Sequence, residues 1–267
     1  VGVAYLGVHR KDKEAGEFFA KIIHSLYAIV MRIVTLVLRL TPYGIFALMT
    51  KALATSDFNA LVNLGVFVIA SYVAIIVMFL IHMLILLGLK VSPIQYMKKT
   101  FTVLSFAFTA RSSAGALPLN IETQTKALGV DEASANFSGT FGLSIGQNGC
   151  AGIYPAMLAA IVAPSAGIDI FSPAYILTIM AVVTISSFGV AGVGGGATFA
   201  ALIVLGSLNL PVAIVGLVIS VEPIIDMART LLNVNDSMIA GIVSSKRLKT
   251  FNEEIFNDDS AVVKSDI

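Results

Sequence analysis

From Phe58 to Leu89 the chain carries no Asp, Glu, Lys or Arg. A helix needs about 20 apolar residues to cross the hydrocarbon core of a bilayer, and this run is longer than that. A second uncharged run extends from Ile170 to Val221. The composition points the same way: 57% of the residues are hydrophobic and 12% charged, where a soluble domain carries about 25% charged. So few charges cannot cover a water-soluble globule, and so apolar a chain is not intrinsically disordered. The net charge of +1 offers no basic field for nucleic acid. A single cysteine cannot form an internal disulfide. The fold class that follows is an all-α integral membrane protein that crosses the lipid bilayer several times.

Several apolar segments are poor straight helices. Residues 101–118 contain Arg111-Ser112-Ser113-Ala114-Gly115 and Leu117-Pro118, and each arm around Ser112 is too short to cross. A re-entrant hairpin with a Ser/Gly tip is expected over about 97–127. Residues 136–163 are broken by Gly146-Gln147-Asn148-Gly149-Cys150. The run from Ile170 to Val221 holds Gly189, Gly192, Gly194, Gly195 and Gly196. Each glycine costs a helix about 1 kcal/mol relative to alanine, so a second re-entrant hairpin is expected over about 172–208. A polar last helix is expected over about 211–243. The order is hairpin, broken helix, hairpin, polar helix. Repeats with discontinuous helices are a transporter signature, with the site near the membrane midplane.

The remaining organisation follows from charge. Residues 1–15 read as the end of a preceding helix and a cytoplasmic loop, so the chain is expected to be the C-terminal part of a longer protein. Residues 16–57 read as a scaffold-type helix and an outer loop, 58–243 as one transport domain, and 244–267 as a solvated cytoplasmic tail. Lys and Arg cluster at 10–21, 90–99 and 246–249, which places those three regions on the cytoplasmic side.

The sharpest chemical signal lies in the last helix. Glu222, Asp226, Arg229, Thr230 and Asn233 recur at intervals of three and four, which places them on one face. Asp236 and Ser237 extend the stripe. An ionised side chain at a helix centre costs about 2.5–3.5 kcal/mol on insertion scales, so these groups must face protein or water. They offer carboxylates for an ammonium and a guanidinium for a carboxylate. An Asp226–Arg229 pair that only packs the bundle is the alternative. Elsewhere, His9, His24 and His82 lack metal-ligand spacing, His82 reads as a packed or interfacial histidine, and Cys150 reads as lining the site.

Asp226-Met227-Ala228-Arg229-Thr230 with Asn233 resembles the last transmembrane helix of the dicarboxylate/amino acid:cation symporters, the glutamate-transporter-like family. Arg111 to Pro118 resembles that family's serine-rich first hairpin, and Gly189 to Gly196 its glycine-rich second one. Within the family the chain is most similar to the bacterial L-cystine uptake transporters. The resemblance implies a secondary active symporter in the bacterial inner membrane. It implies a homotrimer whose protomers each move a transport domain like an elevator, with no enzymatic step and no cofactor. It implies that Asp226 and Thr230 bind the substrate α-ammonium, Arg229 a side-chain carboxylate, and Asn233, Ser112 and Ser113 the α-carboxylate. Gly192, Val193 and Gly194 match the second tip, which closes over substrate.

Departures bear on the ion. The family's Asn-Met-Asp-Gly-Thr reads Gly146-Gln147-Asn148-Gly149-Cys150, so an expected aspartate is Asn148. Another expected aspartate falls on Ser237, with Asp236 one position earlier. The third hairpin serine is Ala114, and the proline often seen at the second tip is Gly194. The coupling-ion residues expected are Gly146, Gln147, Asn148, Ser187, Asn233, Asp236 and Ser237, with Na+ or H+ as the cation and no other metal. L-cystine is the favoured substrate, with Glu222 placed to meet its distal ammonium. An acidic amino acid or dicarboxylate symporter is the alternative. A channel subunit and an intramembrane hydrolase using Ser112 or Ser113 are the rivals from other classes.

Overall fold

The computed structural model describes residues 2–26, 29, 32, 43, 46–47, 50, 54, 58–190, 192 and 195–263. The chain divides into two units, 1–54 and 55–267. In the first, helix α1 spans Gly2–Lys11 and further helix covers residues 13–26. The helix and outer loop expected over 16–57 lie largely outside the described residues.

The second unit is all-helical among the described residues. Helix α2, Phe58–Gly88, exposes Val66, Ile69, Leu80 and Leu84 while Ser71 and His82 are buried. That division suits a helix with one face toward lipid and one toward protein. Helix α3, Pro93–Ala110, starts where the Ser92 hydroxyl accepts from the Gln95 N–H and Pro93 occupies the first turn. It ends at Arg111, whose φ of 52° is left-handed. Ser112 then caps α4, Ser113–Lys126, accepting from the Gly115 N–H at 3.0 Å. The chain thus reverses between helices through Arg111 and Ser112 alone.

Asp131 caps α5, Glu132–Gly142. A turn leads into a π-helical segment, Asn148–Ile153, and then α6, Tyr154–Val162. Gly149 is required there, because a Cβ on it would sit 2.9 Å from the backbone of Arg229. Helices α7, Pro173–Ser187, and α8, Gly196–Ser207, are 15 and 12 residues long, both short of the roughly 20 needed to span. Among the described residues two helical stretches are long and apolar enough to cross, Val62–Gly88 and Asn148–Ala166.

The last span differs from its sequence reading. Instead of one helix over about 211–243, a short α9, Ala213–Val218, stops and α10 runs from Glu222 to Leu248. Pro223 explains the break: it has no N–H to donate back into a preceding turn. Helix α10 packs against α2, α3, α4, α5 and the π-helical segment, so every polar residue on its inner face meets protein. The tail also departs from a simple solvated end. Glu253, Glu254, Asp258 and Asp259 are exposed, but α11, Glu253–Asn257, buries Phe256. The buried Lys99 ammonium donates to the carbonyls of Ile255, Asp258 and Ala261 at 2.9, 2.8 and 3.0 Å.

Candidate functional site

Five residues of the α10 stripe, Glu222, Asp226, Arg229, Thr230 and Asn233, are buried. Arg229 Nη2 bonds to Glu222 Oε1 and lies 3.4 Å from Asp226 Oδ1. Its guanidinium carbon stands 4.2 Å from the centre of the Tyr154 ring, a cation–π contact that holds the head without using its donors. Arg111 reaches the same carboxylates from the junction of α3 and α4. Its Nε is 3.2 Å from Asp226 Oδ2 and its Nη2 is 3.9 Å from Glu222 Oε2. The two carboxylates and two guanidiniums together are neutral. Burying any one of them alone would be strongly unfavourable, and mutual pairing removes most of that cost.

The tips of the two helix pairs meet beside this cluster. Ala114 N–H donates to the Gly192 carbonyl at 3.0 Å, and Gly192 N–H donates to the Leu143 carbonyl at 2.7 Å. A Cβ on Gly192 would lie 3.1 Å from Ser113 Cβ, so the approach favours glycine. Ser112 and Ser113 are buried at this junction. Val193 and Gly194 lie outside the described residues.

Asn233 ties α10 to the broken segment. Its Oδ1 accepts the Gly149 N–H at 2.7 Å, and its Nδ2 donates to Gln147 Oε1 at 2.9 Å and Cys150 Sγ at 3.1 Å. Cys150 Sγ is also 3.9 Å from Asp226 Oδ1. The amide is therefore fully engaged within the protein.

Of the residues singled out for a cation, Asn233 belongs to the contacts just described, while the other six line one cavity beside α10. A cavity of about 530 Å3 is lined by Gly146, Gln147, Asn148, Ser187, Asp236 and Ser237, among others. Asp236 accepts the Asn148 N–H on Oδ2 at 3.3 Å and meets His82 Nε2 on Oδ1 at 2.8 Å. Ser237 Oγ accepts from Asn120 Nδ2 at 2.6 Å and donates to the Val234 carbonyl at 2.8 Å. Ser187 Oγ donates to the Thr184 carbonyl. No group of three or more His, Cys, Asp or Glu side chains with metal-site geometry occurs among the described residues.

The match to known proteins covers nearly the whole chain. Residues 1–247 fit the sodium:dicarboxylate symporter family. The chain belongs to this family. By its description that family is one of symporters, membrane transport proteins rather than enzymes. Similar proteins include the L-cystine uptake protein TcyP of Bacillus cereus, 63% identical over 259 residues, which cover 97% of this chain and 56% of that protein. TcyP of Bacillus licheniformis is 59% identical over 267 residues, 100% of this chain and 58% of that protein. TcyP of Shouchella clausii is 61% identical over 258 residues, 97% of this chain and 55% of that protein. The chain thus spans just over half the length of the curated relatives it matches.

This symporter-family chain brings in residues that its motifs alone do not single out for a role. Arg111 is the one charged residue between Phe101 and Leu119, and that isolation is a usable signal. Tyr154 stands four residues after Cys150, one helical turn on. His82 is the one histidine in the run from Phe58 to Leu89, yet its partner is 154 positions away and no local pattern announces it.

Proposed function

We propose that this chain is the substrate-carrying part of a secondary active symporter that imports an amino acid, L-cystine by preference, across the bacterial plasma membrane. The observation that carries this reading is the buried cluster of Glu222, Asp226, Arg111 and Arg229 beside two helix tips. Such a cluster suits a ligand that bears both ammonium and carboxylate groups. The name of the curated relatives, L-cystine uptake protein, supports the choice of substrate.

In this reading α3–α4 and α7–α8 are two re-entrant hairpins, and residues 58–243 move as one transport domain, elevator-fashion, within a homotrimer. Residues 1–15 and 244–267 are cytoplasmic, and 16–57 belong to the scaffold side. Asp226 with Thr230 takes the α-ammonium and Arg229 a distal carboxylate. Ser112, Ser113 and a released Asn233 amide take the α-carboxylate. Glu222 takes a distal ammonium, and Gly192 to Gly194 close over the ligand. The coupling cation, Na+ or H+, belongs to the cavity beside Gly146, Gln147, Asn148, Ser187, Asp236 and Ser237. Both oxygens of Asp236 are already engaged, and Asn148 and Ser237 contribute no charge.

The test is uptake of radiolabelled L-cystine by the complete gene product in liposomes, with sodium and proton gradients imposed separately. Saturable uptake driven by one gradient supports the reading. Uptake of L-aspartate or succinate in preference to cystine favours the acidic-substrate symporter that the family description suggests. Gradient-independent, non-saturating flux indicates a channel.

A further inference from the structure

Arg111 has a feature that its three partners lack. Its side chain is 21% exposed, against 1% for Arg229, 9% for Glu222 and 7% for Asp226. It sits on the two-residue reversal between α3 and α4, at the end of a helix rather than inside one. Arg229 is anchored by Glu222 and by the Tyr154 ring. Arg111 holds Asp226 through one Nε contact of 3.2 Å, and its 3.9 Å approach to Glu222 is beyond hydrogen-bond range. Arg111 is therefore the member of the cluster that can exchange its partner at least cost.

The charges limit what can enter. The cluster holds two cations and two anions. An acidic amino acid brings one ammonium and two carboxylates, so one protein carboxylate loses its partner and gains none. A simple dicarboxylate leaves both unmatched. A ligand with two ammonium and two carboxylate groups matches all four side chains. Among the described residues Arg229 Nε and Nη1 have no hydrogen-bond partner, so one guanidinium already presents free donors for a carboxylate.

We propose that Arg111 is a substrate-binding and specificity-determining residue. It covers Asp226, gives that carboxylate up to a ligand ammonium, and then binds the second carboxylate of a bis-zwitterionic ligand. This rests on the reading of the site as an amino-acid site. It adds a second guanidinium to that site and explains why a two-ended amino acid is preferred.

The experiment uses the complete gene product, purified, with binding measured calorimetrically. The ligands are L-cystine, the cysteine–cysteamine mixed disulfide, which lacks one carboxylate, and the cysteine–3-mercaptopropionate mixed disulfide, which lacks one ammonium. Arg111→Gln is expected to weaken L-cystine and the mercaptopropionate disulfide about tenfold or more, as for one lost charged hydrogen bond. The cysteamine disulfide, bound with its cysteamine ammonium at Asp226 and its one carboxylate at Arg229, is expected to bind wild type and variant within about twofold. Arg111→Lys is expected to recover part of the loss, because it keeps the charge without the two-pronged geometry. It also serves as the comparison should the Gln variant fail to fold. Equal weakening of L-cystine and the cysteamine disulfide, or tighter binding of both, would overturn the assignment and reduce Arg111 to a plug. Wild-type protein that binds none of the three ligands would instead overturn the proposed function, and Arg111 with it.

Discussion

His82 on α2 and Asp236 on α10 meet at 2.8 Å, Nε2 to Oδ1, in the protein interior. The contact belongs to a chain. Asn235 Nδ2 lies 2.8 Å from His82 Nδ1, and Tyr96 Oη donates to Asn235 Oδ1 at 2.6 Å. Three helices, α2, α3 and α10, are thus joined by side chains that each satisfy the next. Buried polar networks of this kind specify one packing when complete and destabilise when broken.

The first prediction concerns that pair. His82→Leu leaves Asp236 Oδ1 and Asn235 Nδ2 without a partner and is expected to cost about 3–5 kcal/mol, the range for breaking a buried pair from one side. Asp236→Leu should cost a similar amount. The double variant should recover much of the loss, because two apolar side chains replace two polar ones together. Thermal or denaturant unfolding of the purified protein measures this. Strictly additive losses would show that the two side chains are not coupled.

The second prediction concerns Asn233. Its amide receives the Gly149 N–H and donates to Gln147 and Cys150, so Asn233→Leu strands a buried N–H in the broken segment. The expected cost is about 1–3 kcal/mol. Amide hydrogen exchange should rise over residues 143–153, with α2 unchanged. Unaltered protection there would mean that Asn233 does not hold the segment.

These two sites mark where the sequence could be read and where it could not. The polar stripe on α10 was legible because a helix repeats every 3.6 residues, so Glu222, Asp226, Arg229 and Asn233 share a face whatever surrounds them. The broken segment was legible because Gly146 and Gly149 flank polar Gln147 and Asn148 inside an apolar run. The division of α9 from α10 was missed: Pro211 reads as the start of one continuous helix, and Glu222-Pro223, which marks the break, reads as part of the polar stripe. The His82–Asp236 pair was missed because a contact between helices depends on their relative rotation, which neither helix encodes alone. Arg111 was seen as part of a motif, but its direction toward Asp226 follows from a left-handed residue at the reversal.

The third prediction lies outside the spanning segments, at Asp131. Burial raises its carboxyl, but hydrogen bonds from the Thr250 hydroxyl and the Ser134 N–H outweigh that and bring it down to about 2. A carboxyl held below its unfolded value stabilises the fold above the unfolded pKa, and the contribution is lost as pH falls through the folded one. Asp131→Ala also removes the cap of α5, at about 0.5–2 kcal/mol. Wild type should exceed the variant in stability at pH 7, with the gap narrowing between roughly pH 4 and pH 2. A gap independent of pH would assign the effect to the cap alone.

The last prediction concerns how the end of the chain is held. Lys99 is 2% exposed, and its three contacts all go to backbone carbonyls of residues 255, 258 and 261. An ammonium has three protons to donate, so these carbonyls account for all of them. Ile255 and Asp258 belong to the last turn of α11 and its C-cap, where carbonyls lack helical partners and carry partial negative charge. Other contacts add to the clasp: Asn252 N–H donates to the Gly129 carbonyl at 2.7 Å, Gln95 Nε2 to Asp259 Oδ1 at 2.9 Å, and Thr250 Oγ1 to Asp131 Oδ2 at 2.5 Å. Phe256 supplies the apolar anchor. Lys99→Met keeps the stem and removes the donors, so the carbonyls must find water or remain bare. Protease cleavage and amide exchange within residues 251–261 should rise sharply, while α3 and α10 keep their protection. Phe256→Ala should release the same segment through lost apolar contact, at about 3–5 kcal/mol for a fully buried phenylalanine and less here, where the tail is short. Because both variants act on one segment, their effects on its protection should fall short of additive when combined. A tail still protected in Lys99→Met would mean that Phe256 alone holds it and that the three hydrogen bonds add little.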